Sequence, residues 1–184
     1  QDTSWIKPGK AAWAYSLSRA KGVTNPGMNN ETMKYYIDFA ARSGFEYMLI
    51  DGGWQASLPG RKASGELGGF SDTETIPAID IPMLVAYAKA KNVRIWLITS
   101  SKDMRGAELD NAFTQFEKWG VVGAKIDFID RTDQWMMNWY REVASKAAAH
   151  HVMIDFHGAT KPDGSRRTYP NVLTREAVMG EEYN

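Results

Sequence analysis

At 184 residues, with 43% hydrophobic and 24% charged side chains, the chain has the length and composition of one ordered domain with a sizeable core. Its 22 basic and 22 acidic side chains cancel, so bulk charge offers no hold on nucleic acid or an anionic membrane. The absence of cysteine excludes disulfides, thiolate metal sites and cysteine nucleophiles together, and leaves the compartment open.

No stretch has the roughly 18 consecutive apolar residues of a membrane span, and no basic segment followed by an apolar run marks a signal peptide. Gln1 in place of Met points to an excised or processed terminus. Seven Trp and eight Tyr are more aromatic surface than folding alone requires, and aromatic faces also stack on sugar rings.

Residues 1–9 read as an extended lead-in to a first strand, Lys10 to Tyr15. Asn29 or Asn30 then caps a helix whose Met33, Tyr36, Ile37, Ala40 and Ala41 recur at helical spacing, stopped by Gly44. The second strand runs from Phe45 through Ile50 and opens at Asp51-Gly52-Gly53-Trp54. Residues 55–77 read as a long polar loop lying over that strand end.

Asp80 or the residues just before it start a helix with Pro82 in its first turn, and Asn92 ends it before a third strand, Val93 to Ile98. A helix carrying Leu109, Phe113, Phe116 and Trp119 stops at Gly120. The fourth strand, Gly123 to Ile129, places Lys125 and Asp127 inside an apolar run, where a carboxylate is costly without partners or a task. Thr132 or Asp133 caps the next helix, which ends near His150. His151 to Phe156 and Asn171 to Glu176 are the fifth and sixth strands.

Six apolar strands joined mainly by crossover helices predict a parallel α/β sheet. Asp51, Asp127, Asp155 and Glu176 each close a different strand, which favours a (β/α)8 TIM-type barrel over an open sheet with one crevice. Such a barrel takes about 200 residues or more. Residues 1–184 therefore read as a partial barrel, truncated to about six β/α units, whose exposed edges invite self-association or pairing with further chain.

Two carboxyl groups facing one pocket can cleave a glycosidic bond, one protonating the leaving oxygen and the other attacking the anomeric carbon or activating water. Asp127 is the better nucleophile, because Lys125 on the same strand face favours its ionised form. A satisfied structural Asp–Lys pair is the alternative. Glu176 and Glu182 converge on the barrel mouth as a proton donor or as calcium ligands, or else are solvated charges.

Asp51 lies at the second strand's end, and Trp54 is placed to stack on a sugar ring or to pack in the core. His157 is placed to contact sugar hydroxyls or orient a carboxylate, and Asp155 leans to a structural role. The histidine pattern does not suit a transition-metal centre, and no glycine motif suits phosphate.

The strings DTSWIKPGKAAW, YYIDFAARSGFEYMLIDGGW, FEKWGVVGAKIDFIDRTDQ, MIDFHGATKPDGSRRTYPNVLTRE and GEEYN together resemble the catalytic barrel of glycoside hydrolase family 97. The resemblance implies a retaining enzyme of the α-galactosidase-like branch, with Asp127 as nucleophile and Gly158 in the place of the inverting branch's glutamate base. It implies Glu182 as acid/base, and Glu176 and Glu182 as ligands of a calcium ion. It implies an α-galactoside or related oligosaccharide as substrate and a bacterial periplasm or exterior as the setting; Lys125, Asp51, Trp54 and His157, read from their own positions, are the expected substrate-binding residues.

The β-rich domains that flank the family's barrel are absent from these residues. Ala14, Tyr15 and Ser16 depart from the more aromatic or acidic strand-one end expected of the family. Two alternatives remain at this stage: an α-glucosidase with the same machinery, and a barrel fragment that only binds sugar or serves as a folding or interaction unit.

Overall fold

The computed structural model describes residues 2–60 and 68–176. Strands β1 (Ala11–Trp13), β2 (Tyr47–Ile50), β5 (Arg94–Ser100), β6 (Gly123–Asp127), β7 (Met153–Phe156) and β8 (Val172–Arg175) form one sheet. Between them lie α1 (Asn30–Arg42), α2 (Ile81–Lys89), α3 (Ala107–Trp119) and α4 (Gln134–Ala149). The remaining strands, β3 (Gln55–Ser57) and β4 (Phe70–Thr75), pair with each other.

All neighbours in the six-stranded sheet are parallel and stand in chain order. Parallel strands joined in order by crossovers of one hand place their helices on one face and curve the sheet around the other. The result is the α/β arc of a TIM-type barrel, with β1 and β8 at its two edges.

The helices begin and end where their sequence chemistry places them. The side chains of Asn29, Asp80 and Asp133 accept from the backbone N–H groups of Thr32, Met83 and Met136, each filling a donor that the first turn leaves open. Gly120 stops α3 in the left-handed conformation that suits glycine. No helix among the described residues is long and apolar enough to cross a membrane.

Strand alternation divides the apolar residues between two cores. Met48, Ile50, Leu97, Ile126 and Phe156 pack outward with helix residues such as Ile37, Leu84 and Phe113. Tyr47, Trp96 and Met153 turn inward and pack with Trp5, Ile6 and Leu49. Gly123 is required at this level of the interior, since a Cβ there would lie 2.1 Å from the Trp96 ring.

One expectation changes. The stretch read as a loop over 55–77 contains the antiparallel pair β3–β4. Its buried residues Gln55, Ser71 and Asp72 are polar, so the pair carries no alternating hydrophobic signal. The connection from β7 to β8 contains a single 3-10 turn, Ser165–Arg167, among its described elements.

Candidate active site

The C-terminal ends of the strands border a cavity of about 580 Å³ lined by Trp13, Tyr15, Asp51, Lys125, Asp127, His157, Gly158 and Glu176, among others. The pleat explains the company. Residues two apart share a strand face, so Lys125 and Asp127 look inward together, and register pairing of Lys125 with Asp155 brings Asp155 and His157 to the same face.

Asp127 is held from several directions. Its Oδ1 accepts from the Phe128 N–H at 2.6 Å, and its Oδ2 lies 2.8 Å from His157 Nδ1 and 3.9 Å from Lys125 Nζ. Phe128 has φ +61°, a left-handed conformation costly for a bulky side chain and kept only where the surroundings fix it. They do so here: Ser101 donates through Oγ to the Phe128 carbonyl at 2.8 Å and through its N–H to the Asp127 carbonyl at 2.9 Å.

Burial disfavours the charge on Asp127, but the His157 hydrogen bond, the Phe128 N–H and the charges of His157 and Lys125 outweigh it and hold the carboxyl below its usual range. For His157, burial again opposes the charge, and the carboxylates of Asp127 and Glu176 reverse it and raise the imidazole. His157 Nε2 lies 2.8 Å from Glu176 Oε2, so the ring bridges the two acids. The Gly158 N–H donates to the same Glu176 oxygen at 3.2 Å.

Beneath them, burial pushes Asp155 up to about 6, and its Oδ1 accepts no hydrogen bond among the described residues. Asp155 therefore holds its proton to higher pH than an exposed aspartate does.

Gly158 has φ +59°, and a Cβ there would sit 3.5 Å from Asp127 Oδ1. Any side chain at this position would therefore begin in contact with the Asp127 carboxylate. Asp51 accepts from the Trp13 indole N–H and from the Gly52 N–H.

Of the residues singled out from sequence, Asp51, Lys125, Asp127, His157 and Glu176 come together around the cavity. Trp54 does not. It is fully buried, packs against Phe116 and Trp119, and donates its indole N–H to the Ile98 carbonyl. A ring so enclosed has no face for a sugar, so the stacking expectation is replaced by a core role. Glu182 lies outside the described residues.

Trp13 and Tyr15 were missed as site residues. The signal was alternation, since two aromatics two apart at the end of a strand share one face.

The expected calcium site is only partly represented among the described residues. Glu176 supplies a carboxylate, but no group of three or more potential ligands converges among them, and one Glu176 oxygen is already engaged by His157 and Gly158. By themselves they do not form a cage for the ion.

Carboxylates at several strand ends of a barrel arc, one of them kept ionised, are the groups that cleavage of a glycosidic bond uses. The family model for Glycoside hydrolase 97 matches residues 12–178, and the chain belongs to that family. It is 37% identical over 182 residues to a probable retaining alpha-galactosidase of Streptomyces bingchenggensis, covering 98% of this chain and 27% of that one. It is 39% identical over 185 residues to a retaining alpha-galactosidase of Bacteroides thetaiotaomicron, covering 98% and 26%.

A family 97 enzyme from Pseudoalteromonas sp. strain K8, solved with acarbose, superposes with a TM-score of 0.81 at 30% identity, over 99% of this chain and 31% of that one. The chain thus spans about a quarter of the length of the curated relatives it matches.

Proposed function

We propose that this chain carries the nucleophile side of a retaining α-galactosidase, in which Asp127 attacks the anomeric carbon of a terminal α-galactoside. The observation that carries the reading is the setting of Asp127. The carboxylate is kept ionised by His157 and Lys125 and faces Gly158, which places no side chain against its Oδ1. The names of the two curated relatives support the same stereochemistry.

The reaction then has two displacements. An Asp127 oxygen forms a bond to C1 as the bond from C1 to the leaving oxygen breaks, and Glu182 gives that oxygen its proton. Water next attacks C1 of the galactosyl ester and loses a proton to Glu182, and the Asp127 carboxylate leaves. Two inversions restore the α configuration.

His157 has two tasks in this scheme: its Nδ1–H orients the nucleophile, and its charge offsets the negative charge of Asp127 and Glu176. Lys125 and Asp51 would meet sugar hydroxyls from the neighbouring strand ends.

Glu176 and Glu182 would contribute oxygens to a calcium ion whose other ligands lie beyond the described residues, and that ion would polarise the leaving or ring oxygens of the substrate. No step above is routed through it. Restoration of activity by calcium after chelation of the native protein is the expected result, and unchanged activity in chelator would remove the ion from the scheme.

A second reading, cleavage of α-glucosides by the same machinery, is favoured by the family relative solved with acarbose. Proton NMR of early hydrolysis by the full-length protein, run on aryl α-galactoside and aryl α-glucoside, decides among these. Preferred turnover of the galactoside with α-galactose formed first is expected. A β-sugar formed first would overturn retention, and preference for the glucoside would replace the substrate.

A further inference from the structure

The mouth of the cavity carries an aromatic pair that the reaction scheme leaves unused. Trp13 is fixed on its edge and on its face: its indole N–H donates to Asp51, and Lys125 Nζ lies 4.3 Å from its ring centroid. The Tyr15 ring stacks on Trp13, with centroids 4.6 Å apart and planes 28° apart.

Tyr15 is nevertheless 60% exposed, more than Phe39 or Trp135, and it lines the same cavity as the nucleophile. An aromatic ring anchored by a stacked neighbour and open to a sugar-sized cavity is a preformed platform, with little side-chain freedom left to lose on binding. Its place in the contact chain indicates which part of the substrate it meets. Lys125 touches both Asp127 and Trp13, whereas Tyr15 is one ring further out.

We propose that Tyr15 is the stacking platform for the ring of the leaving group, so that it sets the preference for pyranosyl or aryl aglycones over ringless ones. This rests on the proposed glycosidase reading and extends it from the bond cleaved to the group released. The galactosyl ring itself sits against Asp127, Lys125 and Asp51, and its binding does not depend on Tyr15.

The test uses Tyr15→Ala and Tyr15→Phe in the full-length protein, with three substrates: α-galactosyl fluoride, whose leaving group has no ring, p-nitrophenyl α-galactoside, and an α-galactosyl disaccharide. kcat/KM for the two ring-bearing substrates should fall about five- to tenfold in Tyr15→Ala, the scale of one aromatic stacking contact. The fluoride should change less than about twofold, and Tyr15→Phe should behave as the parent. Because each ratio is taken between substrates on one preparation, partial misfolding cancels.

An equal fall on all three substrates, or no fall on any, overturns the proposal. If the parent turns over α-glucosides instead, the same comparison is made with the glucosyl series and read the same way. If the parent turns over neither series, the glycosidase reading fails. The platform is then judged by calorimetric binding of phenyl α-galactoside, where equal Kd for the parent and Tyr15→Ala overturns it.

Discussion

At the scale of single residues, Asp127 gains its chemistry from its neighbours. A depressed carboxyl is ionised across neutral and mildly acidic pH, and the stability and nucleophilicity that depend on the charge are lost only as pH falls through the folded-state value, below the ordinary 3.8. Lys125 is one of the groups that hold it there. Replacing it by Met should therefore move the acidic limb of the kcat/KM profile of the full-length protein toward higher pH. A limb that stays in place would show that Lys125 does not set the charge on Asp127.

Much of this site was legible in the sequence, because a lysine and an aspartate two apart in an apolar strand have few ways to be satisfied. His157 and Glu176 were legible as strand-end residues, but their bridge was not. It depends on the register of three adjacent strands, which local sequence does not specify. Trp54 misled for the opposite reason: a position just after a strand-end glycine turn reads as exposed, whereas the chain folds back and buries the ring beneath Phe116 and Trp119.

At the scale of elements, caps and stops were the most readable features, since Asn29, Asp80, Asp133 and Gly120 act through bonds to residues nearby in sequence. The pairing of β3 with β4 was hidden because its buried side chains include the polar Gln55, Ser71 and Asp72. Asp72 is the clearest case: it is buried, accepts from Gln55 Nε2 at 2.9 Å and from Thr99 Oγ1 at 2.5 Å, and is pushed by burial up to about 7.

A raised carboxyl favours the folded state while protonated and becomes a cost as pH rises from the unfolded value, 3.8, toward the folded one, about 7. Asp72→Asn should accordingly raise the melting temperature more at pH 8 than at pH 4.5. A larger gain at the lower pH would contradict the placement of a neutral acid under this hairpin.

The barrel interior makes a second demand on an element. Gly123 lets β6 pass beneath the Trp96 ring with no room for a methyl group. Gly123→Ala should cost about 1–3 kcal/mol by overpacking, read as a lower denaturant midpoint at unchanged slope. No change in midpoint would mean that the ring moves aside freely.

At the scale of the whole molecule, the sheet formed by the described residues is an arc with β1 and β8 at its edges, and its inward Tyr47, Trp96 and Met153 pack with Trp5, Ile6 and Leu49. Sheet edges at the ends of an open arc favour association. The 184-residue chain prepared by itself should elute as a species larger than a monomer, and a well-behaved monomer would show that the arc is self-sufficient. The β/α rhythm made this architecture readable in advance, because crossover helices between buried strands leave few topologies open.

Charge, register and curvature meet at Asp127, the residue proposed to become covalently bonded to the sugar. The most direct measurement is peptide mass mapping of the full-length protein after inactivation by a slow-hydrolysing fluorinated α-galactosyl donor. A single added fluorogalactosyl group on Asp127, absent when the residue is Asn, is the predicted result. A labelled residue other than Asp127, or turnover of the donor with no covalent adduct at any residue, would contradict it.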